Sequence, residues 1–366
     1  MPSPFNVPIN KPFDPASLRV EVKNTTVGQL ADMLKKNMID LQPDFQRHAH
    51  LWNKDKKSRL IESIVLGLPL PSFYFYIDAS QKKWVVIDGL QRLCSIYDFM
   101  VEQKLALTGL EFLSKEHIGR RFDDFTYFEQ LDMHMRPVTL NVISGASSAE
   151  AKYVIFKRIN SEATNLRPAE IRNALFHGKS MEMVKEFAES LEFESATSGK
   201  VSKSRLMHYD FVSRFIAFYI QGVERYESSK MDAFIGNALQ QINDEYSEDK
   251  KVYLQQVFFK SLEICKTLLG NDAFRQPLGK EDKKNKDIKS NPISISLFEA
   301  MMCSVSNLDE TERTRLIERK EKYREKYEEL FEDEFLKKLL SNGTNQGKSV
   351  MYRFGKMHDL VKEIIK

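Results

Sequence analysis

Three stretches of this 366-residue chain carry residue types that could do chemistry, and the first of them is suited to gripping phosphate. The first is Asp88-Gly89-Leu90-Gln91-Arg92, between a strand-like run from Lys83 and a helix-like run ending near Met100. Where a strand hands over to a helix, the first backbone N–H groups lack partners and point outward at the positive end of the helix dipole. That is a natural seat for a phosphate. Gly89 allows a tight turn and close ligand approach. Arg92, in the first turn, adds a forked cation able to hold two phosphate oxygens. An arginine there opposes the dipole, so its presence is informative. Asp88, at the strand's end, is placed to hold Mg2+, orient a water or bond a ribose hydroxyl. The structural alternative is that Asp88 caps the helix and Arg92 pairs with it.

The second stretch is "LQPDFQRHAHLW", with Gln42, Asp44, Gln46 and Arg47 in a loop bracketed by Leu41, Phe45 and Trp52. Phe45 and Trp52 are expected to anchor the loop and leave Gln46 and Arg47 facing a pocket. His48 and His50 alternate as a metal pair would, but no third ligand is near, so exposed loop histidines are the preferred reading. The third stretch is "IFKRINSEATNLRPAEIRNALFHG". It sets Arg158, Asn160, Arg167, Glu170, Arg172 and Asn173 around a connection between two helices. A functional cluster and a polar hinge, with Arg172 paired to Glu170 or the core, both remain open.

The elements that must position these groups are legible from periodicity and capping. "LRVEV" alternates as a strand does. "TTVGQLADMLKKN" reads as a helix capped by Thr25 or Thr26, with Val27, Leu30, Met33 and Leu34 on one face. "NKDKKSRLIESIVLGLP" is a helix capped by Asn53 and ended near Gly67 and Pro69. "SFYFYI" and "KWVVID" are strands close enough for a hairpin, and "RPVTLNVIS" is another strand. "SSAEAKYVIFKRIN" opens with Ser147 and Glu150 at capping-box spacing. "LRPAEIRNALFHG" is a helix with Pro168 in its first turn and Gly178 at its end. Beyond about residue 178 the strand signal fades into helices and polar loops. "GKEDKKNKDIKSNP" reads as a mobile charged loop. "DETERTRLIERKEKYREKYEELF" reads as one helix whose charge run is a solvated face.

The chain is long for one core, so two domains are expected. Lys and Arg exceed Asp and Glu by 55 to 52. A net charge of +3 does not predict a general nucleic-acid coat and leaves room for a local basic face. Cys94, Cys265 and Cys303 form no CxxC, as expected of reduced thiols in a reducing compartment. The Pro-rich N-terminus has no apolar h-region and no run of about 18 apolar residues occurs, so a cytoplasmic protein is expected, with no signal peptide and no membrane span. A P-loop, a GxGxxG turn, a GxSxG elbow, an HNH pattern around "KEHIGRR" and C2H2 or CxxC zinc sites are all missing.

Taken together, "LQPDFQRHAHLWNKDKKSRLIESIVLGLPLPSFYFY", "VVIDGLQRLCSI" and "FKRINSEATNLRPAEIRNALFHG" resemble the N-terminal domain of GmrSD-type restriction systems. This is a large bacterial family with a ParB/sulfiredoxin-like fold. Its hallmarks are a proline-containing Gln-Arg loop, an Asp-Gly-Gln-Gln-Arg turn and a Phe-x-Arg-Ile-Asn segment before a helix. The likeness covers about residues 18–178. It implies a nucleotide-binding fold whose relatives bind, and often hydrolyse, nucleoside triphosphates in defence against phage DNA. Carried over by position, the functional residues are Gln46 and Arg47, then Asp88, Gly89, Gln91 and Arg92, then Arg158 and Asn160. Two departures matter. Leu90 replaces the first glutamine of the turn, removing a contact worth about 1–3 kcal/mol if it reached a charged phosphate. The larger family enzymes also carry a C-terminal HNH-type nuclease domain, whose pattern is missing here.

The expected architecture is α+β: an extended arm over 1–17, a ParB-like α/β domain over 18–178 and an all-helical domain over 179–366. The expected function is an NTP-binding, NTP-hydrolysing module of a restriction or anti-phage system. Gln46, Arg47, Gly89, Arg92, Arg158 and Asn160 would hold the nucleotide. Asp88 and Gln91 would be catalytic, with Asp88 on Mg2+. DNA is the expected partner, and a separate nuclease subunit and a homo-oligomer are both open. A non-catalytic DNA- or nucleotide-binding regulator is the alternative that Leu90 favours. A DNase acting through the same pocket ranks third, because no second carboxylate sits at a convincing spacing.

Overall fold

The computed structural model describes residues 19–41, 52–78, 83–144, 149–159, 167–176, 178–228, 230–278 and 290–366. They form two compact units, Met1–Leu166 and Arg167–Lys366. The expected arm, the Gln46–Arg47 loop, Ser147, Asn160 and most of the charged loop after Gly279 lie outside the described residues.

The first unit is built on a five-stranded mixed sheet in the order β1-β5-β3-β4-β2. The strands are β1 (Arg19–Thr26), β2 (Ile39–Asp40), β3 (Phe73–Asp78), β4 (Lys83–Asp88) and β5 (Pro137–Ser144). β3 and β4 are the antiparallel pair expected of a hairpin, with Tyr76 opposite Val85. β5 runs parallel to β3 and antiparallel to β1. Its Val138, Leu140 and Val142 point inward by the two-residue period of a strand.

Among the described residues, five helices serve this sheet: α1 (Val27–Lys35), α2 (Lys54–Leu66), α3 (Leu90–Ile96), α4 (Tyr127–Met135) and α5 (Ala149–Ile159). Local chemistry sets their ends. The Thr26 hydroxyl accepts from the Gln29 N–H, and the Asn53 side chain accepts from the Lys56 N–H at 2.9 Å. Gly67, at φ 73°, ends α2 in the left-handed region. Beyond α3 the chain continues as a π-helical turn over Tyr97–Val101. The core joins Leu30, Ile61, Phe73, Phe75, Leu93, Ile96, Phe99 and Val142, all buried. Each such side chain contributes about 1.5–3 kcal/mol by leaving water. Phe99 packs edge-on to Phe122 and Phe125, fixing the end of the α3 segment.

The second unit is helical, as expected. It runs α6 (Pro168–Leu175), α7 (Lys179–Ala188), α8 (Leu191–Ala196), α9 (Met207–Gln221), α10 (Met231–Glu245) and α11 (Glu248–Leu269). There follow α12 (Ile295–Val305), α13 (Glu310–Glu318), α14 (Lys320–Leu330), α15 (Glu334–Ser341) and α16 (Gly347–Ile365). The apolar α12, with Leu297, Phe298, Met301 and Met302 buried, packs against α9, α11 and α16. The charged run expected to be one solvated helix is instead α13 and α14, broken at Arg319 (φ −98°, ψ 23°). It is also amphipathic: Leu316, Tyr323 and Tyr327 are buried while most of the charges face water. Among the described residues no helix is long and apolar enough to cross a membrane.

Candidate functional site

The Asp88–Arg92 turn forms where expected, between the buried end of β4 and the start of α3. Gly89 is its hinge. It sits at φ 101°, and a Cβ there would fall 2.5 Å from the Phe73 ring. Both the backbone conformation and the space demand glycine. Gly89 is itself the N-cap, so Asp88 does not cap α3.

Arg92 is engaged inside its own domain. Its Nη2 donates to Asp88 Oδ2 at 2.9 Å and to the Ser72 carbonyl at 3.2 Å, and its Nη1 donates to the Pro71 carbonyl. The guanidinium carbon lies 4.5 Å from the centre of the Phe73 ring, at cation–π distance. The side chain is 11% exposed, against 20% for Asp88. Burial pulls the Arg92 pKa below its ordinary value while Asp88 opposes the drop, and the group remains a cation at neutral pH. Arg92 ties the strand-to-helix turn to the segment before β3, which is the structural alternative for this residue.

The same pair bears on metal. Asp88 Oδ2 already accepts from Arg92, and among the described residues no group of three or more His, Cys, Asp and Glu could hold an ion.

The helical period explains what α3 offers elsewhere. Arg92, Ile96 and Phe99 share the face turned to the core. Gln91, Cys94 and Asp98 recur at three- and four-residue spacing on another face. Cys94, Tyr97 and Asp98 line a cavity of about 760 Å³, together with Leu41, Trp52 and Lys54. Leu41 and Trp52 are the described residues flanking the Gln46–Arg47 segment. The cavity thus adjoins both ends of the first motif and the helix opened by the second. Lys57 and Lys104 add cations to its wall, and Asn53 brings the start of α2 to it.

The charges around the cavity are ordered. Buried Lys57 pairs with Asp98 at 2.6 Å. Glu102 accepts from Tyr97 at 2.9 Å and pairs with Lys104 at 2.5 Å. Lys104 and then Tyr97 hold the Glu102 carboxyl below its usual range, and Glu102 holds Lys104 above its own. Burial, with Asp98 adding to it, pushes the Cys94 thiol up to about 12. Lys54, Lys57, Asp98 and Lys104 were not anticipated. The signal lay in Cys94, Tyr97 and Asp98, which mark a face of α3 opposite to the one Arg92 takes.

The third stretch divides. Arg158 is exposed in the last turn of α5, in the first unit. Glu170, Arg172 and Asn173 are buried in the second. Arg172 donates to Asp210 and Asp232, and Glu170 receives Arg205 at 2.7 Å. The cluster at Glu170 and Arg172 therefore belongs to the packing of the helical unit.

These features define the first unit as an α+β domain with a polar, ligand-sized cavity beside its motif helix. Residues 28–177 match the family model of the GmrSD restriction endonuclease, N-terminal domain. The match spans about two fifths of the chain and contains the first two motifs and all but the last residue of the third, so the resemblance read from them is shown over these residues. Comparison with curated proteins and with solved structures yields no match. The domain supports a component of a restriction or defence system as the coarse class of this chain.

Proposed function

We propose that this chain is a nucleotide-binding component of a restriction-type DNA-defence system, holding its nucleotide in the cavity between the start of α2 and the outer face of α3. One observation carries this reading: the 760 Å³ cavity lies beside both ends of the Gln46–Arg47 segment and along the helix opened by the Asp88–Arg92 turn. Its volume suits a nucleotide. Lys54 and Lys104 supply cations for the phosphates, and Trp52 and Tyr97 supply rings on which a base can stack. Magnesium enters with the triphosphate, and Asp88 is the retained candidate carboxylate for it. Gln91, buried in the first turn of α3, is the retained candidate for orienting a water. DNA and a nuclease subunit are the partners that a restriction role requires.

The test is calorimetry with a panel of nucleoside triphosphates and Mg2+. The parent binds at least one of them, and Lys54→Ala with Lys104→Ala weakens binding at least tenfold, about 1.4 kcal/mol. Equal affinity in parent and double variant, or no binding to the parent, rejects the reading.

A non-catalytic regulator is the second reading. Two observations favour it: Leu90 stands where the family turn has an amide, and Asp88 and Arg92 engage one another. Phosphate release with Mg2+ and DNA separates the two. Binding without release selects the regulator.

A further inference from the structure

The helical unit contains a second polar cavity, of about 200 Å³, lined by Arg167, Arg205, Arg214, Asp210, Asp232 and Asn345. Its acids are already served by cations. Arg172 donates to both Asp210 and Asp232, and Arg214 reaches Asp210 Oδ2 at 3.3 Å. Arg214 also donates to Asn345 Oδ1 at 3.1 Å and to Glu299 at 3.3 Å. Asn345 accepts through its oxygen, so its amide presents N–H groups. Arg205 grips Glu170 with Nε at 3.2 Å and Nη2 at 2.7 Å. With the buried Arg353–Glu299 pair included, five guanidiniums face four carboxylates. One positive charge is in excess, and Arg167 is exposed.

The backbone holds this arrangement at a strained corner. Arg205 (φ 53°, ψ 35°) and Leu206 (φ 56°, ψ 30°) are consecutive non-glycine residues in the left-handed region. Such conformations persist where surrounding contacts over-determine them, and they cluster at ligand sites. Here they place Arg205 against Glu170 and bring it to the cavity wall, immediately before the first turn of α9.

We propose that this cavity is an oxyanion site that takes one phosphate-sized group between Arg167 and Arg205, with Arg214 and Asn345 beneath it. The space is below the roughly 300–1,000 Å³ of drug-sized sites, so it accommodates a phosphate group and not a whole nucleotide. Arginine's planar fork suits such a group. The same chemistry is presented by free inorganic phosphate and by a backbone phosphate of DNA.

The experiment measures melting temperature and calorimetric affinity of the full chain with inorganic phosphate and, separately, a short DNA duplex, both against chloride at matched ionic strength. The variants are Arg167→Ala, whose exposed side chain puts folding at little risk, Arg205→Gln, and Lys115→Ala, at an exposed residue of the other unit away from both cavities, as a control. The expected result is a rise in melting temperature for the parent and the lysine control, with at least tenfold weaker binding in Arg167→Ala and Arg205→Gln. A response to phosphate identifies a free-anion site, and a response to DNA alone identifies a backbone contact. No response in the parent, or equal responses in parent and both arginine variants, overturns the proposal.

Discussion

Arg92 reaches back one helical turn to Asp88, Nη2 to Oδ2 at 2.9 Å, and the pair closes the turn over the carbonyls of Pro71 and Ser72. Arg92→Ala leaves a half-buried carboxylate and two carbonyls without this donor. The expected loss is about 2–4 kcal/mol. Urea denaturation checks it. Arg92→Lys recovers only part of the loss, because a point charge cannot serve all three acceptors as a fork does. Unchanged stability in Arg92→Ala would return this residue to the ligand role.

Gly89→Ala tests the turn from the other side. An added methyl meets both a disfavoured φ and the Phe73 ring. The backbone conformation alone accounts for about 1–3 kcal/mol, and the clash adds to it. The same denaturation experiment, with Gly67→Ala for comparison, reads the excess. At Gly67 the added carbon meets the end of the Arg136 side chain, which can move more readily than a core ring.

Glu62 carries the pH dependence. It is buried in α2, and its carboxylate accepts from the backbone N–H groups of Glu111, Phe112 and Leu113 at 2.7–3.1 Å. Burial alone would raise its pKa. The donations from Leu113, Phe112 and Glu111, with Arg59, outweigh burial and hold it below the ordinary value of 4.5. A depressed pKa means that the folded state prefers the charged form. The contribution is full above the unfolded pKa and is lost as pH falls through the folded one. Stability of the parent should therefore decline on acidification below about pH 4.5 more steeply than that of Glu62→Gln. At neutral pH the variant should be less stable by about 1–3 kcal/mol. Parallel pH curves would remove Glu62 from this role.

The parts legible in sequence were those set by near neighbours. Thr26, Asn53 and Gly67 declare helix ends because capping acts over three or four residues. The Asp88–Arg92 turn declared itself for the same reason. Its partners did not: Pro71 and Ser72 contribute carbonyls, which every residue has, from some twenty positions upstream. Lys57 and Asp98 meet across 41 positions, so neither marked the cavity. The break at Arg319 escaped because buried Leu316, Tyr323 and Tyr327 recur at spacings close to those of one continuous helix. β2, of two residues, is too short for any alternation to register.

The thiols give a further check on burial. Cys94 is pushed up to about 12 by burial and by Asp98, and burial raises Cys265 and Cys303 as well. The thiolate is the reactive form, so the native protein at about pH 8 should react with a thiol reagent far more slowly than an exposed cysteine does. In denaturant all three should titrate promptly. A fast native phase of one equivalent, abolished by Cys94→Ser, would mean that the cavity beside α3 opens more widely than its lining indicates.

Glu299 is the deepest charge in the helical unit. It is fully buried, accepts from Arg353 Nε at 3.1 Å and from Arg353 Nη2, and takes Arg214 Nη1 at 3.3 Å on its other oxygen. Glu299→Met leaves two guanidiniums facing an apolar side chain, and the expected loss is about 3–5 kcal/mol. Arg353→Met alone leaves Glu299 with Arg214 and should cost less than Glu299→Met. In the double variant Glu299→Met, Arg353→Met, no guanidinium is left fully buried without its acid, since Arg214 keeps Asp210. Its loss should fall below the sum of the single losses by more than 1 kcal/mol, roughly the coupling expected of contacting charges. Strictly additive losses would mean that the pair contributes through volume and packing, and that its charges are silent.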